Sequence, residues 1–226
     1  MRVMASAGIK AAYLELLPQF EARHCCRVET LWVPTVDMLS RLEGGEVVDL
    51  VIMMSNAIDA LIAAGRLRAG SRIDLCSSHI GAAVRAGAPK PDLSSADRFV
   101  GAMLAADSIG YSHGPSGVHI IELFERLDLA GRVRPKVRHV KGIPVGSLVA
   151  NGEAQIGFQQ VAELLPIPGI ELLPPLPPEL DKVTVFSAGI HTEASAPDLA
   201  SALANYLRSV EAAPMMRDKG LVPLPT

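Results

Sequence analysis

Short continuous apolar runs alternate along the chain with stretches whose apolar residues fall three or four apart. The first kind suits strands buried on both faces, the second amphipathic helices. Residues 2–5 read as a short strand, and a helix is predicted over 9–22 with Ser6 placed to cap it. A strand over 26–32 follows and ends at Pro34-Thr35, with Thr35 at the N-cap of a helix over 36–42. Gly44-Gly45 stops that helix, and the apolar run 47–54, interrupted only by Asp49, is a third strand. Ser55-Asn56 then opens a helix over 57–64. Three successive units go strand, hydroxyl-bearing turn, helix, which argues for a parallel sheet covered by helices.

The plan repeats further on. Residues 74–85 hold strand material around Ser77-Ser78, a passage between two lobes, and Ser95 begins a helix that runs to 106. Residues 108–111 form a buried strand and 112–117 a small-residue loop. The helix behind that loop carries Val118, Ile120, Ile121, Leu123, Phe124 and Leu127 close to a 3.6-residue period. Strands over 137–140, 154–158 and 183–190, helices over 145–150 and 197–210, and a short terminal helix complete the pattern. Prolines cluster between 166 and 178, so that segment reads as a rigid surface loop, neither helix nor central strand.

In an open α/β sheet, ligands bind outside the carboxyl ends of the strands. Ser6 with Ala7, Thr35, Ser55, the loop bearing Ser112, Ser116 and Gly117, and Gln159 with Gln160 all fall at that edge. Hydroxyls, amides and first-turn N–H groups gathered there make a pocket of neutral donors that can hold a small anion. Each turn taken alone serves equally as a plain helix cap.

Composition narrows the classes of function. The 226 residues are 49% hydrophobic and 20% charged with a formal net charge of −3, so no basic face for nucleic acid or an anionic membrane is implied. Arg132, Arg134, Lys136, Arg138 and Lys141 gather locally, and alternation along a strand accounts for them as a solvated face. Cys25, Cys26 and Cys76 make no CxxC pair and read as free thiols, with a bridge from Cys76 to either of the others left open. The six histidines lack metal-ligand spacing, and neither a Walker A nor a GxGxxG sequence is present, so no metal or cofactor is expected. Gly114-Pro115-Ser116-Gly117-Val118 lacks the last glycine of a nucleophile elbow. No apolar run approaches a membrane span. The chain opens on strand-like residues with no leader pattern, which means a periplasmic location if a leader has been removed and a cytoplasmic one otherwise.

Several stretches together resemble the type II periplasmic solute-binding proteins, in particular the molybdate-binding branch. They are Ala5-Ser6, the run from Leu42 to Leu50 with its GxxxDV-like pattern, Gly110 to Gly117, and Leu148 to Gly157, which is similar to VxxGEAxxG. The resemblance implies two α/β lobes, each a mostly parallel sheet flanked by helices, with the ligand cleft between them. Residues 1–77 plus 189–226 would form the first lobe and 78–188 the second, with crossovers near 78 and 188. In the molybdate branch the oxyanion is held from the loops that here carry Ser6, Thr35, Gly117 and Val145, with a tyrosine where this chain has Gln159-Gln160. An organic carboxylate is therefore favoured over molybdate.

The stretch His79 to Asp92, with Gln159 to Leu164, looks like a further branch that includes aconitate isomerase. That enzyme moves a proton along an allylic tricarboxylate, which needs carboxylate clamps and a proton carrier. Candidates are Arg85 as a clamp and His113 or His79 as the carrier, since histidine titrates in the useful range and His113 lies in the pocket loop; a plain surface Arg and surface His is the other reading. The leading expectation is a binding protein for a small anion, linked to ABC-type uptake through a permease partner. An aconitate isomerase-like enzyme is the alternative, and the sensing module of a regulator, which shares this fold, is another.

Overall fold

The computed structural model describes residues 1–112, 114–140 and 143–224. Two compact units share the chain, Met1–Ser78 with Thr184–Thr226 and His79–Val183. In chain order the first unit begins with β1 (Arg2–Ala5), α1 (Lys10–His24), β2 (Glu29–Trp32), α2 (Thr35–Glu43), β3 (Leu50–Met54), α3 (Ser55–Ala63) and β4 (Ile73–Ser78). The second holds β5 (Ile80–Arg85), α4 (Ala96–Ala105), β6 (Ile109–Ser112), α5 (Pro115–Arg126), α6 (Ala130–Val133), β7 (Val137–Val140), α7 (Val145–Ala150), β8 (Ile156–Gln160), α8 (Val161–Leu164) and β9 (Ile170–Leu172). The chain then returns to the first unit with β10 (Thr184–Ile190), α9 (Pro197–Arg208), α10 (Ala213–Asp218) and β11 (Val222–Pro223).

The first sheet has the order β11-β4-β10-β3-β1-β2. β1 pairs in parallel with β2 and β3, while β10 runs antiparallel between β3 and β4. β3 is buried from Leu50 to Met53, as a strand covered on both faces requires. Asp49, just ahead of it, is buried too: its carboxylate accepts the Arg2 N–H at 2.7 Å and both the Ser195 hydroxyl and the Ala196 N–H at 2.9 Å. Burial would raise this carboxyl, but the three donors outweigh it and hold Asp49 below the usual range.

The second sheet has the order β7-β6-β8-β5-β9. β6, β7 and β8 run in parallel, and β5 is reversed between β8 and β9. One face packs Phe99, Tyr111, Phe124 and Phe158 into an aromatic core with α4 and α5. On the other face α7 lies close to the strands because Gly157 has no side chain. A Cβ there would come within 2.6 Å of Val149 and 2.8 Å of Val145.

Several boundaries differ from the sequence expectation. The second passage falls at 183/184 rather than near 188, because β10 pairs from Thr184 (with Ser78) to Ile190 (with Leu50) and belongs wholly to the first sheet. β8 runs on to Gln160, so the two glutamines stand in the strand, held by pairing to Gly81 and Ile80. The proline-rich segment contains β9, whose Ile170–Leu172 is free of proline and takes the edge of the sheet. The basic run is not one alternating strand: Arg132 lies in α6, Arg134 and Lys136 in a 3-10 turn, Arg138 in β7, and Lys141 outside the described residues. All three cysteines are free, and burial pushes the Cys76 thiol up to about 12. Among the described residues no helix is long and apolar enough to cross a membrane.

Candidate functional site

Each unit presents its own polar edge. In the first, β1, β2 and β3 are parallel and in register, so their carboxyl ends lie side by side. Ser6 continues the ladder by donating its N–H to Ile52 O at 3.0 Å, and Val33 N–H donates to Ala5 O at 3.1 Å. Ser6 and exposed Ala7 lead into a 3-10 turn (Ala7–Ile9) rather than directly into a helix. The Ser6 hydroxyl does not cap that turn; its Oγ is buried and, among the described residues, has no hydrogen-bond partner. Thr35 and Ser55 are the first residues of α2 and α3, with Pro34 and Met54 at the cap positions expected for hydroxyls. Both are half-buried at helix starts, where first-turn N–H groups lack helical partners.

In the second unit the corresponding edge is formed by the ends of β6 and β8 and by the start of the reversed β5. Ser112 ends β6, and its Oγ accepts the Gly114 N–H at 3.2 Å. Ser116 is buried in the first turn of α5. Gly117 is dictated by space, since a Cβ would fall 1.7 Å from Ser112 O. His113 lies outside the described residues. Gln159 and Gln160 are buried at the end of β8. The Val145 N–H, expected to meet the anion, donates instead to Gln159 Oε1 at 2.8 Å. His79 comes to this edge because β5 starts opposite Gln160. Its Nδ1 bonds Asp181 Oδ2, and the other oxygen of Asp181 accepts N–H groups of Ile80 at 3.0 Å and Lys182 at 2.7 Å.

Arg85 is not brought here. It ends β5, which runs away from the edge, so it is exposed about 17 Å along the strand from Ile80. Two acids that the residue pattern did not single out stand at the edge instead. Asp181 anchors His79 from just beyond the proline-rich segment. Glu163, half-buried in the first turn of α8, is hydrogen-bonded to the Gln159 side chain; burial pushes its carboxyl up to about 7, against that bond. Its sequence signals are an acid following the apolar strand and two glutamines, and its place within the Gln159 to Leu164 stretch. Among the described residues no cluster of His, Cys, Asp and Glu could hold a metal ion. The arrangement supplies neutral donors, one carboxylate-oriented imidazole and one carboxyl that titrates near neutrality.

Residues 1–222 match the family described as bacterial extracellular solute-binding protein. An aconitate isomerase from Pseudomonas sp is 37% identical over 231 residues, covering 100% of this chain and 88% of the relative. Among solved structures, the periplasmic molybdate-binding protein of Azotobacter vinelandii superposes with a TM-score of 0.82 at 18% identity, with all of both chains covered. The sulfate-binding protein SubI of Mycobacterium tuberculosis H37Rv superposes at 0.78 and 15% identity, over 99% of this chain and 86% of the other. At such identities the superpositions speak for the fold, the two-lobe α/β fold of periplasmic binding proteins.

Proposed function

The chain belongs to the bacterial extracellular solute-binding proteins, and on that premise we propose that it captures a small organic carboxylate through neutral hydrogen-bond donors. The observation that carries this reading is the Ser6 hydroxyl, buried at the carboxyl edge of the first sheet without a partner among the described residues. An unsatisfied buried hydroxyl costs about 1–3 kcal/mol, and an anionic oxygen would repay it with a charge-assisted bond. Thr35 and Ser55, at helix starts of the same unit, add hydroxyl donors, and the second unit presents Ser112, Ser116, Gln159 and Gln160 at its own edge. Amides in place of a tyrosine hydroxyl suit the planar carboxylate better than a tetrahedral oxyanion. In this reading the protein is periplasmic and delivers its ligand to an ABC-type permease.

A second reading, catalysis of allylic proton transfer, is favoured by the aconitate isomerase relative and by the His79–Asp181 pair. Asp181 fixes the ring through Nδ1, which orients Nε2 as the proton-carrying atom. The imidazole would take a proton from the methylene carbon of trans-aconitate as the C–H bond breaks. The electron pair delocalises over the allylic carbons and the adjoining carboxylate. The double bond moves, and the same proton returns to the far carbon, so no co-reactant is consumed.

Proton NMR of trans-aconitate with protein in D₂O tests both. Broadened ligand lines with an unchanged spectrum are expected of a binder. Appearance of cis-aconitate, or deuterium exchange at the methylene, would establish the isomerase. Sharp, unchanged lines would overturn the tricarboxylate assignment.

A further inference from the structure

β8 ends at Gln160 and α8 starts at Val161, so Glu163 stands where the second unit's polar edge turns into a helix. Its carboxyl is hydrogen-bonded by the side chain of Gln159. That amide is oriented from its other end: the Val145 N–H occupies Oε1, which leaves Nε2 to face Glu163. Ala162, Leu164, Gln159 and Gln160 around it are buried. Among the described residues, the elements packed most closely against α8 are β5, β8 and α7. β8 and α7 carry no charged residue, and the one on β5, Arg85, sits at the far end of that strand. His79, just before β5, accepts the Val161 N–H through its carbonyl at 3.0 Å and turns its ring to Asp181. Lys141 lies outside the described residues.

A carboxyl in these surroundings has a neutral amide to support its charge and, among the described residues, no ion pair. Ionised, it would repel an anion arriving at the same edge; protonated, it can donate a short O–H···O⁻ bond to it. Resting on the carboxylate reading above, we infer that Glu163 is a ligand-facing residue of the second unit's polar edge. It meets the incoming carboxylate as a protonated acid, so capture of the anion takes up a proton. That the group holds its proton up to about pH 7 agrees with this role.

The linkage has a definite sign. Below about pH 6 the proton is already in place and affinity is flat. Above pH 7 each unit of pH costs up to about tenfold in affinity. Isothermal titration calorimetry with trans-aconitate at pH 7, in two buffers of different ionisation enthalpy, should register uptake of about half a proton per ligand. Glu163→Gln, which keeps a donor of the same size, should bind within a few-fold of the parent with that uptake gone. Carboxyl carbon-13 NMR of the unsubstituted protein should show Glu163 titrating near pH 7 and moving upward when ligand is added, a readout that needs no variant. Binding without proton uptake, the same uptake in Glu163→Gln, or a Glu163 resonance indifferent to ligand would overturn this inference alone. Absence of any binding across the pH range would overturn the carboxylate reading and this inference with it.

Discussion

Ser6 and Arg85 show how far single residues can be judged from their neighbours in the chain. A hydroxyl following an apolar run is visible in the sequence, and Ser6 does stand at the carboxyl end of β1. What the sequence could not display is that Oγ caps nothing and is buried without a partner among the described residues. Ser6→Ala is therefore expected to leave the ligand-free protein as stable as before, or slightly more so, because the unsatisfied group is removed. The same change should weaken carboxylate binding by about tenfold, the worth of one charge-assisted bond. Thermal shift with and without trans-aconitate checks both; lost stability with unchanged ligand response would make Ser6 a packing residue. Arg85 stands apart from the polar edge for a reason no local pattern contains. β5 runs against its neighbour, so its carboxyl end lies away from the other polar residues.

At the scale of elements, the strand–turn–helix from Ile109 to Arg126 was legible because Ser, Gly and Pro punctuate an apolar run and then a helical period. The structure adds why the turn accepts no substitute at Gly117. A methyl group placed 1.7 Å from Ser112 O must push α5 off the end of β6. Gly117→Ala should destabilise the protein by about 3 kcal/mol or more, seen as a lower urea midpoint, and should abolish binding because Ser112 and Ser116 separate. A variant of unchanged midpoint would mean that the turn relaxes freely. The glutamines of β8 were read as a turn because the strand's apolar run stops before them. Pairing with β5 carries the strand two residues further.

Across the whole molecule, the discontinuous first unit depends on contacts between distant stretches. Asp49 is one such tie, joining Arg2, at the start of β1, to Ser195 and Ala196 ahead of α9. Asp49→Asn keeps the shape but replaces an acceptor-only carboxylate with an amide whose NH₂ must face a donor. A loss of about 2–3 kcal/mol in equilibrium unfolding at pH 7 is expected. Because folding lowers the Asp49 pKa, its contribution is complete above the unfolded value of about 3.9 and disappears as pH falls through the folded value. The parent should thus lose stability in acid more steeply than Asp49→Asn. Parallel acid profiles would assign the tie to shape alone. The rhythm of apolar runs and periods by itself determined the α/β class and the polar character of the strand ends, since these depend on local spacing and turn chemistry. Tertiary structure alone decided strand direction, and with it the exclusion of Arg85, the entry of Asp181 and Glu163, and the diversion of the Val145 N–H to Gln159. Those outcomes depend on which segments become neighbours, and burial and hydrogen-bond partners are properties of neighbours in space.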